Sequence, residues 1–487
     1  MLPTQIGYAL VIVALLYVGG LIIARLCLPT RPPQLSVLLA IPFGMGLWVL
    51  LWVPARLSFS QPDFGWADPA NRFAAFGFLL FLGLGVLTSV IARVWTRQMV
   101  AWALISGVFV LAYAAFYYLF SGKLVLSGDS HVYINWAYDA FRQMKSGFSL
   151  PSLAWTNFST LMGPDAFLGV LYPLVGLSLA LLVYFSIVEM PVDSKLPAQQ
   201  LVAAAISFLL VGILVFNEMY FRHMQYINQH SFMAFSLLGC ALAVTAPPRI
   251  SWREIMLIGW LVLLVSTARM EGFLYAAIVV VLCAYGRGNL KETRQILLGA
   301  FVISLPLILL LMLLHWDEGR IRGWQYAVML AAWLGAYAIA HLDKLSHLFM
   351  EWRLSAWVLG GLVIASALTF VFRPIDMGIS FAAMTYNTIN PKYWGFATLS
   401  GFLLVPMLVW LRWKSRSYWR PTDAFITAAL AAVMVSFVIA FFRPPLRIGI
   451  DDSANRMLLH VMPLIFVWIG LEAKRLILKL MEGEARG

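Results

Sequence analysis

Apolar residues run through this chain in long uninterrupted blocks. Leu10–Ala24, Leu201–Phe216 and Leu297–Leu314 carry no charged residue, and comparable blocks recur from end to end. A block of about 20 apolar residues, rising about 1.5 Å per residue, matches a hydrocarbon core of about 30 Å. Segments of about ten residues alternating apolar and polar would signal a barrel, but these runs are continuous. The pattern therefore predicts helices at roughly 5–26, 34–54, 73–92, 99–120, 165–188, 201–216, 230–246, 254–268, 272–286, 296–315, 324–342, 354–372, 395–411, 423–442 and 457–472. The expected fold is an all-α integral membrane protein, a polytopic helical bundle of about fifteen spans.

Composition strengthens this reading. Of 487 residues, 62% are hydrophobic and 11% charged, against roughly 45–50% apolar and about 25% charged in soluble domains. No stretch is left over for a sizeable soluble domain. Cys27, Cys240 and Cys283 fall inside or at the end of apolar runs, so they read as small hydrophobes with no disulfide or metal spacing.

Charge fixes the expected sides. No Lys or Arg precedes Arg25, so the first run lacks the basic region of a cleaved signal peptide and reads as a retained span with its N-terminus outside. With that orientation, twenty of the 34 basic residues fall on cytoplasmic segments, from Arg25 and Arg31 through Arg412 and Lys414 to Lys479 and Arg486. The net charge of +12 is then largely a positive-inside signature, and no nucleic-acid partner is implied. The longer loops, 55–72, 121–164, 217–229, 373–394 and 443–456, fall outside, and loops of unusual polarity are where sites concentrate.

Four segments carry candidate chemistry. Ser127–Pro151 reads SGDSHVYINWAYDAFRQMKSGFSLP; Tyr133, Trp136, Ala137, Ala140, Phe141 and Met144 share helical spacing, which predicts an amphipathic helix lying in the interface. Asp129 and Ser130 stand at its start, where they serve either as an N-cap or as chemistry. Ser266–Phe273, STARMEGF, lies between two short apolar runs. From Arg253 to Arg269 is about 24 Å of helix, less than the core thickness, which places Arg269 and Glu271 below the outer surface. A charge at that depth is retained where it meets a partner or a wet cavity, so the two either pair or line a cavity. In Arg443–Phe466, RPPLRIGIDDSANRMLLHVMPLIF, Arg456 opens the last span and His460 follows one turn later on the same face. A guanidinium fork suits phosphate, and snorkelling is the competing role for Arg456, as a satisfied bundle histidine is for His460. Asp451–Asp452 offers a divalent cation two carboxylates, or is merely solvated. In NEMYFRHMQYINQH, Asn217–His230, Glu218, Arg222, His223 and His230 either line a pocket or belong to an interfacial hairpin anchored by Tyr220 and Tyr226.

The first three segments together resemble the polytopic GT-C glycosyltransferases. GDSHVYINWAYDAF is similar to the family's first large outer loop, where an acid precedes a Tyr-bearing amphipathic helix. STARMEGF resembles its T-R-P-E-G-L turn, with Met270 where Pro is usual. NRMLLHVMPLIF resembles its R-Y-L-x-P-x-x-P opening of a late span, with Met457 for the aromatic. The resemblance runs from about residue 121 to 472. It implies that 1–120 is an N-terminal four-span extension and that 121–487 is the transmembrane catalytic core.

What the resemblance implies is transfer of a sugar from a polyprenyl-phosphate donor to an acceptor of unidentified class, at the outer, periplasmic face of a bacterial inner membrane. Asp129 matches the acidic catalytic position. His131, Tyr133, Arg222, His223, Arg269, Glu271, Arg456 and His460 are the expected substrate-binding residues. No cofactor is expected; GDSH carries one acid where several relatives carry a pair, so no metal site is assigned. The expected partners are the lipid-linked sugar and membrane lipids. An envelope oligosaccharide polymerase or ligase shares the donor and the outer Arg and His residues. A transporter or flippase of lipid-linked substrates would show paired broken helices in corresponding halves, and only the stretch around Arg269 and Glu271 qualifies.

Reporter fusions are expected to place the 412–420 segment in the cytoplasm and the 121–164 segment outside. Finding both on one side would overturn this topology.

Overall fold

In hydrocarbon a backbone N–H or C=O finds no water, so a chain this apolar must pair its polar groups within each segment, as a helix does. The computed structural model describes residues 3–29, 31–59, 67–116, 168–190, 198–225, 229–247, 249–269, 271–314, 316, 323–414, 419–441, 445–448 and 453–484, and no strand occurs among them. The helices are α1 (Pro3–Cys27), α2 (Pro33–Ser58), α3 (Pro69–Ile91), α4 (Arg97–Phe116), α5 (Leu168–Glu189), α6 (Gln199–Val215), α7 (Glu218–Gln225), α8 (His230–Thr245), α9 (Trp252–Ala268), α10 (Gly272–Gly286), α11 (Leu290–Leu314), α12 (Gly323–Ile339), α13 (Asp343–Ser346), α14 (Trp352–Phe372), α15 (Pro374–Ile389), α16 (Gly395–Lys414), α17 (Asp423–Phe441) and α18 (Ser453–Glu484).

This is a helical membrane protein. Among the described residues eight helices are long and apolar enough to cross a bilayer, and nine if α6 and α7, bent by 73° at a short break, count as one. Helices α8 and α10 are apolar but only 16 and 15 residues long. The sequence reading counted such short runs as spans of their own. Every residue of α8 except Leu242 is buried, packed among α5, α9, α10 and α18, so almost none of it faces lipid. The expected loops 217–229 and 373–394 contain α7 and α15. Helix α15 buries Met377, Ser380, Ala383, Met384 and Asn387 on one side and exposes Ile375, Ile379 and Phe381, an apolar stretch that forms a helix too short for a span.

The periphery carries the lipid-type surface. Phe76, Leu79, Leu84 and Leu87 of α3, Leu104, Ile105 and Val108 of α4, and Val363, Ile364 and Val371 of α14 are all exposed. So broad an apolar face is excluded from water on a soluble protein and is natural against acyl chains. Helices α1 and α2 approach closely at Gly44, which has no Cβ; one built there would overlap the Leu16 backbone. Small residues let membrane helices reach this separation.

One end of the bundle is basic, and side chains there serve carbonyls at helix ends, most of them on other segments. The buried Arg25 donates to the carbonyls of Leu28 (3.0 Å), Pro29 (2.7 Å) and Val94 (2.9 Å). Arg287 serves Val244 at 2.8 Å and Pro247 at 2.9 Å beyond the end of α8. Arg294 donates to Ala340 beyond α12 at 2.6 Å, and the Trp419 indole to Gly286 of α10 at 3.2 Å. Lys474 of α18 closes α5, donating to Ile187, Val188 and Met190 at 3.0, 3.1 and 3.0 Å. These segments are the ones the charge pattern assigned to a single side.

Replacing Lys474 with Met strands those carbonyls. Thermal unfolding in detergent is expected to show a loss of about 1–3 kcal/mol, with Lys474→Arg much closer to wild type. Equal melting of Lys474→Met and wild type would show that water already serves the end of α5.

Candidate functional site

At the opposite end, cations meet ring nitrogens and a carboxylate. Helix α9 begins in a capping box at Ser251 and Glu254 and stops at Arg269, whose backbone turns extended (φ −150°, ψ 158°). The chain reverses at once into α10, with the Gly272 amide donating to the Arg269 carbonyl at 2.9 Å. A Cβ on Gly272 would overlap the Val265 carbonyl, so the tight turn requires glycine here. The turn holds Arg269 and Glu271 face to face, Nε to Oε2 at 3.3 Å, with side chains 14% and 4% exposed.

The ion pair is present, and Arg269 also reaches beyond its carboxylate. Its Nη1 lies 3.5 Å from Nε2 of His230, the first residue of α8. The Nδ1 of His230 lies 2.9 Å from Nε2 of His460 on α18, and the two rings stack with centroids 5.1 Å apart. His223 on α7 meets His230 edge to face at 5.7 Å, and its Nδ1 donates to the Met219 carbonyl at 2.6 Å. Tyr275, one turn into α10, stands edge-on to His460 with centroids 6.1 Å apart. Its hydroxyl donates to Ser436 of α17 at 2.7 Å, because the Ser436 hydroxyl is spent on Ala432. Arg456, half-buried in the first turn of α18, acts electrostatically on His223, His230 and His460 alike.

The structure thus brings together His223, Arg269, Glu271, Arg456 and His460 of the residues expected from sequence. Arg222 is elsewhere: it stands 47% exposed and pairs with Glu218 at 2.7 Å. Adjacent residues on a helix point about 100° apart, and α7 buries Met219, Tyr220 and His223. Tyr220 is an internal anchor, its hydroxyl donating to the Gly176 carbonyl of α5 at 2.6 Å. Asp129, His131 and Tyr133, and the pair Asp451–Asp452, lie outside the described residues.

The sequence names His230 as a pocket candidate with His223 but does not join it to Arg269 or His460, and it does not single out Tyr275 or Ser436. Tyr275 and Ser436 are single polar groups inside apolar blocks, a pattern that carries no direction by itself.

Among the described residues two guanidiniums, one carboxylate and three imidazoles gather here, and a set with more cationic than anionic groups can stabilise an anion such as phosphate. Among the described residues no group of three or more His, Cys, Asp or Glu side chains is placed to hold a metal ion.

Breaking a buried ion pair on one side leaves a charge stranded. Glu271→Met is expected to destabilise the protein by about 3–5 kcal/mol, and adding Arg269→Met should recover part of that loss. Melting of the single and double variants in detergent checks the order; a double variant less stable than the single one would show that Arg269 is held independently of Glu271.

Compared with known proteins, the chain finds no match: no family model, no curated protein and no solved structure aligns with it significantly.

Proposed function

We propose that this protein is a GT-C-type membrane glycosyltransferase, moving a sugar from a polyprenyl-phosphate donor to an acceptor at the periplasmic face of a bacterial inner membrane. One observation carries the reading. The STARMEGF turn and the opening of the last long helix, the two described segments that resemble the family, meet through His230, so that Arg269, Glu271, Arg456 and His460 share one site although 187 positions separate the two arginines.

In this reading the bundle has about fifteen spans, and the histidine end faces outward. Arg456 and Arg269 hold the donor's phosphate, the planar fork of each offering two parallel N–H groups to its oxygens. As the bond to the sugar breaks, charge grows on the leaving phosphate, and guanidiniums already in place stabilise it. Asp129 takes the proton from the attacking acceptor group, and His131 and Tyr133 contact the substrate beside it. The prenyl tail stays among the lipids.

The test is incubation of purified protein with labelled polyprenyl-phosphate sugar and measurement of released carrier. Arg456→Lys keeps charge and loses the fork, so donor binding should weaken about tenfold, and further in Arg456→Ala. Asp129→Asn should still bind donor while losing about 10²–10⁴-fold in transfer. If both Arg456 variants bind donor like wild type, that residue is a snorkelling anchor; wild-type transfer by Asp129→Asn would make Asp129 an N-cap.

A further inference from the structure

The three polar contacts in the histidine cluster have a direction. A guanidinium donates and never accepts, so the Nε2 of His230, 3.5 Å from Arg269 Nη1, must offer a lone pair. The single proton of a neutral His230 then sits on Nδ1. That nitrogen faces His460 Nε2 at 2.9 Å, so Nε2 accepts, and the proton of His460 sits on Nδ1. A doubly protonated His460 would have to donate from Nε2 into a nitrogen that already bears a proton.

His460 is 1% exposed, and its Nδ1 has no hydrogen-bond partner among the described residues. A buried N–H without an acceptor is rare in native proteins. The neighbouring cluster member shows the ordinary solution on a helix: His223 gives Nδ1–H to the carbonyl four residues back, at 2.6 Å. His460 leaves that bond unmade while Tyr275 packs against its ring edge-on. Arg269 and Arg456 both act on His460, as does Glu271, and Glu271 is already paired with Arg269. A net positive surrounding with an unused N–H selects an anionic oxygen.

We propose that Arg269, His230 and His460 form a one-directional hydrogen-bonded wire whose open end, His460 Nδ1–H, donates to a phosphate oxygen of the ligand. The ligand's identity rests on the functional reading above; the proton positions rest on the geometry. His460 is thereby a substrate-binding residue and His230 a positioning residue, since His230 touches no ligand and fixes which nitrogen of His460 carries the proton. Arg269 acts twice, as a charge near the phosphate and as the group that sets the direction of the wire.

The test is nitrogen NMR on the full chain in lipid nanodiscs, with labelled histidine and assignment by single replacement. The chain has 7 histidines, so the spectrum is tractable. Without ligand, His230 and His460 are both expected as the Nδ1–H tautomer, and Arg269→Met should release His230 to a tautomer mixture. Polyprenyl phosphate in the nanodisc is expected to shift the His460 Nδ1 resonance. A shift with inorganic phosphate alone would support the phosphate contact and overturn a lipid source. Binding of polyprenyl phosphate is measured in parallel. His460→Asn keeps an amide donor near the Nδ1 position and should bind close to wild type; His460→Gln moves it toward Nε2 and should lose about tenfold or more. An Nε2–H tautomer at His460 overturns the wire. Wild-type binding of polyprenyl phosphate with an unmoved Nδ1 signal and equal Asn and Gln affinities overturns the donor role while the glycosyltransferase reading stands. Failure of wild type to bind polyprenyl phosphate overturns that reading, and a wire with the expected tautomers would survive it.

Discussion

A carbonyl at the end of a helix in hydrocarbon has no solvent to receive a proton from, and the architecture of this protein follows from how those carbonyls are served. At the basic end, Arg25, Arg287, Arg294, Trp419 and Lys474 each reach across to a helix other than their own. These contacts do more than satisfy polar atoms. Each ties two segments at a fixed depth, so the caps set the vertical register of the bundle. A second layer reinforces it: Asp423, at the start of α17, accepts from Arg412, from the Arg420 amide and from the Trp468 indole, while Glu472 holds Arg420 and Arg475.

At the histidine end Arg373 donates to the Phe441 carbonyl that ends α17, at 2.7 Å, and neutral side chains serve loop carbonyls, Asn217 donating to Tyr393 and Asn387 to Arg447. Arg269 directs its guanidinium at two other side chains, Glu271 and His230. Arginine thus serves carbonyls at both ends of the bundle, and at the histidine end Arg269 meets a carboxylate and an imidazole instead.

What could be read in the sequence was what local spacing encodes. The sixteen residues between Arg253 and Arg269 placed the Arg269–Glu271 pair at depth, and the four between Arg456 and His460 put both on one face. The fold class follows from the apolar blocks. The encounter of His230 with His460, 230 positions apart, has no local trace, and neither has the choice between Arg222 and His223, neighbours of which only one turns inward. The near-complete burial of α8 among other helices is likewise invisible in a one-dimensional run. The 121–164 segment lies outside the described residues, so Asp129 rests on resemblance.

Helix α18 follows every other described helix in the chain, yet it supplies parts to both ends of the bundle. Lys474 closes α5, whose capped carbonyls lie 284 to 287 positions upstream, and His460 completes the imidazole stack. Arg25, by contrast, finds its partners within 69 positions. On a translating ribosome the first hairpin can therefore lock early, while α5 waits with open carbonyls until more than 280 further residues have been made. A nascent chain halted before α18 lacks the cap and the site together, so membrane quality control meets an unfinished helix end, and a truncated product never holds an assembled cationic pocket.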